Sequence, residues 1–304
     1  MLYVSTRNTA ATYTAHRAIH EARTQDGGFY VPFHLPAYTQ EELLAMKAQP
    51  CCNAIAGVLN LLFAKKLTGS DVEFAIGKNP FRMEYMQHKL VFAESWHNPE
   101  GSADYLLKNL YTLISDRKYV GKLPAGWSDV GIRIALLFGM HSALENTAET
   151  FDMAVTAGDF ADITAILYSR GMGLPVNMTV CTGSEDCVLW DLLNRGECIC
   201  GSEDASYLEC FLYRCFGTEN VHFLGKSHSI DEVQREELAN KVFAPVVSLS
   251  RVDSVISNMY RTSQYAIDRE TAVAYGGLQD FRSATGVSRE TVILSKKRPE
   301  RAGE

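Results

Sequence analysis

The strongest constraint on the fold lies in the middle of the chain. Residues 152–155 form a short apolar strand run, 160–169 have helical periodicity, Gly171 stops that helix, and 176–181 form a second strand run. Strand, helix and strand joined by short connections make a βαβ unit, whose two strands run parallel. A parallel sheet needs helices on its faces, so the pattern predicts an α/β fold.

The flanking segments alternate in the same way. Residues 2–5 read as an opening strand, 15–22 as a helix and Asp26-Gly27-Gly28 as a turn. Thr39 and Glu42 have capping-box spacing, predicting a helix that stops at Pro50. The next helix, 53–67, carries Ile55, Val58, Leu59, Leu62 and Phe63 on one face. The first hundred residues are therefore expected to be mainly helical. A helix over 103–114 leads into 116–127, where Gly121, Pro124 and Gly126 mark a linker, and 130–144 reads as an almost fully buried helix. Further helix starts are expected at Ser229 with Glu232 and at Ser250 with Asp253, and the basic run from Lys296 to Arg301 is expected to be a solvated tail. The reading divides the chain into a helical domain, 1–100, and an α/β domain, 101–304.

Charge and composition narrow the function. The 304 residues hold 36 acidic and 29 basic side chains, a net charge of -7 spread without long blocks of one sign, which argues against a nucleic-acid partner. No stretch approaches the ~18 apolar residues of a membrane span, and the opening residues lack the apolar run of a secretory signal. Eight cysteines in such a chain fit a reducing compartment, so a cytoplasmic protein is expected.

Three regions carry a family resemblance. Tyr3-Val4-Ser5-Thr6-Arg7 followed by Asp26-Gly27-Gly28-Phe29-Tyr30-Val31-Pro32 is similar to the amino-terminal signature of threonine synthases, YVSTRG and then DGGLYVP. Residues 155–162 and 170–176 resemble the family's VPTGNFGD and KRMGLPI segments, and Ile267 to Ala274 resembles DPHTAVG. The resemblance implies the threonine synthase-like fold, related to the tryptophan synthase β-subunit, with a helical amino-terminal domain and a reduced parallel sheet flanked by helices. The family's middle small domain is largely missing, since only about fifty residues separate Asp104 from Val155.

Threonine synthases, as the resemblance implies, use pyridoxal phosphate to convert O-phosphohomoserine and water into threonine and phosphate, which requires a lysine amine for the Schiff base. The family places that lysine in ELFHGPTxAFKD. The matching stretch here keeps Glu94, His97 and Pro99 but puts Asp104 at the lysine position, and a carboxylate cannot form an imine. Lys108, one turn further on, is the candidate substitute, set against an ordinary solvated helix lysine. The phosphate loop reads Gly158, Asp159, Phe160, Ala161, Asp162, with an acid for the asparagine and alanine for a glycine; a fixed negative charge there repels phosphate. The hydroxyl position near the pyridine nitrogen holds Lys296, and the serine- and glycine-rich loop that takes the substrate carboxylate has no counterpart.

Two other groupings call for chemistry. Cys181, Cys187, Cys198, Cys200, Cys210 and Cys215 precede His222 and His228, but their irregular spacing lacks the paired knuckles of a zinc site, so buried thiols are expected instead of metal. Glu94, His97 and Glu100 form a potential acid/base cluster, set against a solvated loop. The expectation is a catalytically degenerate threonine synthase-like protein without a cofactor, serving as a binding or paralogous-subunit scaffold, with a protein partner or second copy and a small amino-acid-like ligand. The alternative is a pyridoxal phosphate-dependent lyase of the threonine synthase type that uses a non-canonical lysine.

Overall fold

Alternation along the central strands decides the layering. Val91 and Ala93 face one hydrophobic core, while Leu90 and Phe92 face another; Met153 and Val155 oppose Ala154, and Val292 opposes Ile293 in the same way. A strand buried on both faces needs helices above and below it, and two helical layers are what the chain supplies.

The computed structural model describes residues 1–117, 123, 125–145, 150–158, 160–183, 187–199, 204–217 and 227–300. In chain order the elements are β1 (Leu2–Ser5), β2 (Tyr13–Thr14), α1 (Ala15–His20), β3 (Tyr30–Pro32), α2 (Gln40–Lys47), α3 (Cys51–Phe63), α4 (Gly69–Ile76), β4 (Arg82–Met86), β5 (Leu90–Glu94), α5 (Asp104–Ser115), α6 (Trp127–Ala143), β6 (Phe151–Thr156), α7 (Phe160–Gly171), β7 (Val176–Thr182), α8 (Val188–Arg195), β8 (Glu197–Ile199), α9 (Asp204–Phe216), β9 (Ser227–Ser229), α10 (Glu232–Ala239), β10 (Val242–Phe243), α11 (Leu249–Ser263), α12 (Arg269–Thr285) and β11 (Thr291–Ser295). The main sheet has the order β10-β7-β6-β11-β5-β4. All its neighbours are parallel except β4 with β5, and β6-α7-β7 is the predicted βαβ unit. The last strand, β11, enters the middle of the sheet between β5 and β6, with Thr291 opposite Leu90 on one side and Asp152 on the other.

One core gathers α3, α5, α6 and α7 on one face of this sheet, and a smaller one gathers α11 and α12 on the other. Helix α6 is buried along nearly its whole length, as its apolar run predicts. Where α6 crosses α3, glycine lets the helices close: an added Cβ at Gly131 would lie 2.4 Å from Phe63 Cζ, and one at Gly139 would lie 2.5 Å from Ile55 Cγ1.

The amino-terminal signature is built as a junction. Strand β1 pairs with β2 and β3 in a small antiparallel sheet. Asp26 accepts from the Ser5 hydroxyl at 2.7 Å and from the Gly28 amide at 2.9 Å, and a Cβ on Gly28 would fall 2.0 Å from Ser5 Oγ. Buried Glu209 of α9 pairs with Arg7 at 3.0 Å and Arg23 at 3.2 Å and accepts the Thr6 hydroxyl.

Local signals fared unevenly. The Thr39–Glu42 capping box is present and starts α2. Helix α10 is capped instead by Asp231 with Gln234, because Ser229 is engaged in β9, and α11 starts from Ser248 without a side-chain cap. The first hundred residues carry five strands as well as four helices, since β4 and β5 join the main sheet. Half of the linker candidate at 116–127, residues 118–122 and 124, lies outside the described residues.

The two kinds of helical glycine give opposite expectations for stability. Gly139→Ala should destabilise by about 1–3 kcal/mol through overpacking against Ile55. Gly57→Ala, in α3 with nothing within 4 Å of the added methyl, should stabilise by about 0.5–1 kcal/mol. Urea denaturation of both variants checks the signs.

Candidate functional site

Because β5, β11, β6 and β7 are parallel, their carboxyl ends finish along one edge of the sheet, where crevices form in α/β folds. Residues at or just past those ends, Ser95, Lys296, Thr156, Gly158, Thr182 and Gly183, line a cavity of about 940 Å³ closed by α5, α6 and the starts of α11 and α12. Asp104, Lys108, Ala161 and Asp162 reach the same cavity, so it collects most of the site candidates; Glu94 and His97 are not among its lining residues.

Asp104 is the first residue of α5, where a carboxylate gains from the helix dipole. It is exposed, and its amide N–H donates to the Ser102 hydroxyl at 3.2 Å. The end of the chain holds this helix start in place. Ala103 N–H donates to Lys296 O at 2.8 Å, Arg298 N–H donates to Gly101 O at 3.1 Å, and Ser102 bridges to Lys297. The Lys108 amine turns to Glu100, with Nζ 3.1 Å from Oε2.

The start of α7 is the most heavily charged place in the cavity. Asp162 lies in the first turn of α7, is buried, and divides its two oxygens between cations. Oδ1 accepts from Arg133 at 2.5 Å and Oδ2 from Lys296 Nζ at 2.8 Å. Arg133 also binds Asp129 at 3.0 Å, one turn earlier on α6, and Asp129 accepts the Tyr207 hydroxyl at 2.5 Å. The relay Tyr207, Asp129, Arg133, Asp162 and Lys296 therefore joins α9, α6, α7 and the end of β11.

This arrangement corrects the expectation of a solvated carboxy-terminal tail at Lys296, while Lys297, Arg298 and Glu300 are exposed and Arg301 lies outside the described residues. Lys296 is pulled inward by Asp162, its side chain 20% exposed, and Lys297 pairs with Glu270 at 2.5 Å. In the phosphate-loop segment, Phe160 and Ala161 are buried and Gly158 faces open space, while Asp159 lies outside the described residues.

The Glu94, His97 and Glu100 grouping separates. Glu94 is buried, not part of a solvated loop; it accepts from His97 Nε2 at 2.5 Å and from the Tyr265 hydroxyl. Burial, then the Glu94 carboxylate, pushes the Tyr265 phenol far above its ordinary range. His97 stacks on Trp96 at 3.9 Å, whereas Glu100 turns to Lys108. Among the cysteines, burial pushes the thiols of Cys181 and Cys210 up and that of Cys215 to about 12, which keeps them protonated. Cys200 and His222 lie outside the described residues, and among those described no group of three or more histidine, cysteine or acidic side chains is placed to hold a metal.

Asp129, Arg133 and Tyr207 are site residues that the sequence reading passed over. The available signal was Asp129 and Arg133 spaced at i and i+4 in an otherwise apolar helix, because a buried cation requires a partner. Breaking such a network is costly. Asp162→Ala should destabilise by about 3–5 kcal/mol, since it strips a carboxylate from two partly buried cations. Adding Lys296→Met should cost less than the sum of the single changes, and a urea-denaturation double-mutant cycle measures the coupling.

Comparison with known proteins places this geometry. A family model described as threonine synthase N terminus matches residues 2–78. A protein named threonine synthase-like 1 from Macaca fascicularis is 28% identical over 144 residues, 40% of this chain, and the Homo sapiens protein of that name is 27% identical over 144 residues. The match spans 19% of the length of each of these relatives. Among solved structures, pyridoxal phosphate-bound threonine synthase from Brucella melitensis superimposes with a TM-score of 0.81 at 15% identity, covering 98% of this chain and 89% of that one. Yeast threonine synthase gives 0.76 at 13% identity, covering 98% and 87%, and the Escherichia coli enzyme 0.74 at 12%, covering 98% and 89%. This chain therefore has the fold of the solved threonine synthases over nearly its whole length and is similar in sequence to the threonine synthase N terminus over residues 2–78.

Proposed function

We propose that this threonine synthase-like chain works without pyridoxal phosphate, as a cytoplasmic binding protein or paralogous subunit that keeps the family's cleft as a ligand cavity. The observation that carries the reading is that Arg133 and Lys296, the cations at the start of α7, are both engaged with Asp162. A helix start receives a phosphate by presenting free amides and an open positive field. Here the first turn of α7 carries Asp162, an acid that the family's VPTGNFGD segment also carries, and the two cations beside it, Arg133 and Lys296, are engaged with it. Freeing either cation for a phosphate means disrupting a partly buried ion-pair network, at a cost of about 3–5 kcal/mol.

The residues present do not fit the cofactor at its other contacts either. Asp104 stands at the start of α5 where the resemblance calls for a lysine, and the amine of Lys108 is paired with Glu100. Lys296, at the position near the pyridine nitrogen, is a cation and cannot accept a proton from a pyridinium. No reaction step is therefore routed through the cofactor.

A partner or second copy belongs to this reading. Among the described residues no helix is long and apolar enough to cross a membrane.

The test is an absorbance spectrum of purified protein after incubation with pyridoxal phosphate and removal of free cofactor. The expected result is no visible aldimine band and no lysine labelled on borohydride reduction. A band whose reduced label maps to one lysine, Lys108 or Lys296 for instance, would sink the proposal in favour of a lyase with a displaced Schiff-base lysine. Asp104→Lys alone should form no threonine from O-phosphohomoserine, because the phosphate loop keeps Asp159 and Ala161 and the loop for the substrate carboxylate is still missing; product in that assay would contradict the account.

A further inference from the structure

We propose that the cavity takes a cationic ligand, an ammonium carried on an apolar body, with Asp104 as its counter-ion. The inference rests on the cofactor-free reading of the same cavity and adds the charge of what fills it.

The argument follows the charges on the cavity wall. Every cation lining it among the described residues already has a carboxylate of this chain. Lys108 is 3.1 Å from Glu100, Lys297 2.5 Å from Glu270 and Arg269 2.6 Å from Asp253. Arg133 lies between Asp129 and Asp162, and Lys296 holds the second oxygen of Asp162. Asp104 differs from the other wall acids. Its carboxylate lines the cavity with no ion pair or hydrogen bond to a described residue, although Lys108 sits one turn away on the same helix. The dipole of α5 stabilises this carboxylate only as a fractional charge, so a full positive charge placed beside it is still favourable.

An anionic ligand meets the opposite situation. To gain a salt bridge it must take a cation from an existing carboxylate, leaving that acid unpaired in a partly enclosed site. An ammonium needs no such exchange. The rest of the wall supplies the second half of the recognition, since the partly exposed apolar side chains of Phe81, Leu123, Leu249, Val273 and Leu294 line the same cavity as Asp104. An apolar body seated on them displaces water from around the charge contact and strengthens it.

The test compares two probes of equal chain length and opposite charge, hexylammonium and hexanoate, by isothermal titration calorimetry with the full chain at neutral pH. Hexylammonium should bind about tenfold or more tightly than hexanoate. Asp104→Asn should remove that preference with only a small drop in the unfolding midpoint, because residue 104 is exposed and loses no more than its interaction with the α5 dipole. Equal affinities, a preference for hexanoate, no binding of either probe, or an ammonium preference that survives in Asp104→Asn would each overturn the inference. The pyridoxal phosphate spectrum of the same preparation separates the two claims. An aldimine band alongside an intact ammonium preference overturns the cofactor-free reading and leaves the charge preference standing; no band and no preference overturns the charge inference alone.

Discussion

Asp162 is the point on which the cavity's architecture turns. It sits in the first turn of α7 and divides its two oxygens between Arg133 of α6 and Lys296 at the end of β11. That sharing ties together two helices and the central strand of the sheet. It also sets the course of the chain beyond β11: Lys296 is drawn inward, and the backbone at 296–298 then lies against residues 101–103 and fixes the start of α5. The position of Asp104 at the cavity mouth is thus a consequence of the same network.

The balance of forces explains why such a network persists. Burying a carboxylate or a guanidinium alone is prohibitive, but each charge here has two partners or one well-placed partner, so the penalty is shared along the relay. The relay ends on the Tyr207 hydroxyl, which satisfies the remaining oxygen of Asp129. The network has bonds within itself for the groups that would have to be released to hold an external anion, and this feature distinguishes the cavity from an open phosphate cradle.

Much of the fold was legible because it depends on short-range periodicity. The βαβ unit, the buried α6 and the Thr39 cap follow from spacing alone. The caps of α10 and α11 were misplaced by two residues because several acceptors precede each helix and only strand pairing and loop geometry select among them. The site was less legible. Asp104 was visible as a substitution, but the partners of Asp162 lie in segments remote in sequence, and a basic run at a chain end looks like a solvated tail until its strand is placed in the centre of the sheet. Glu94 was obscured for the same reason, since its burial depends on Tyr265 arriving from a distant loop. The amino-terminal signature, the clearest family mark in the sequence, forms the junction around Glu209.

The most direct test of the central claim observes phosphate itself at the start of α7. In a phosphorus NMR titration of pyridoxal phosphate with increasing protein, the account predicts that the phosphate resonance keeps the position and width of the free cofactor. A resonance that shifts and broadens in proportion to protein, and does so less when inorganic phosphate competes, would mean that the helix start holds a phosphate despite Asp162, and would contradict the account.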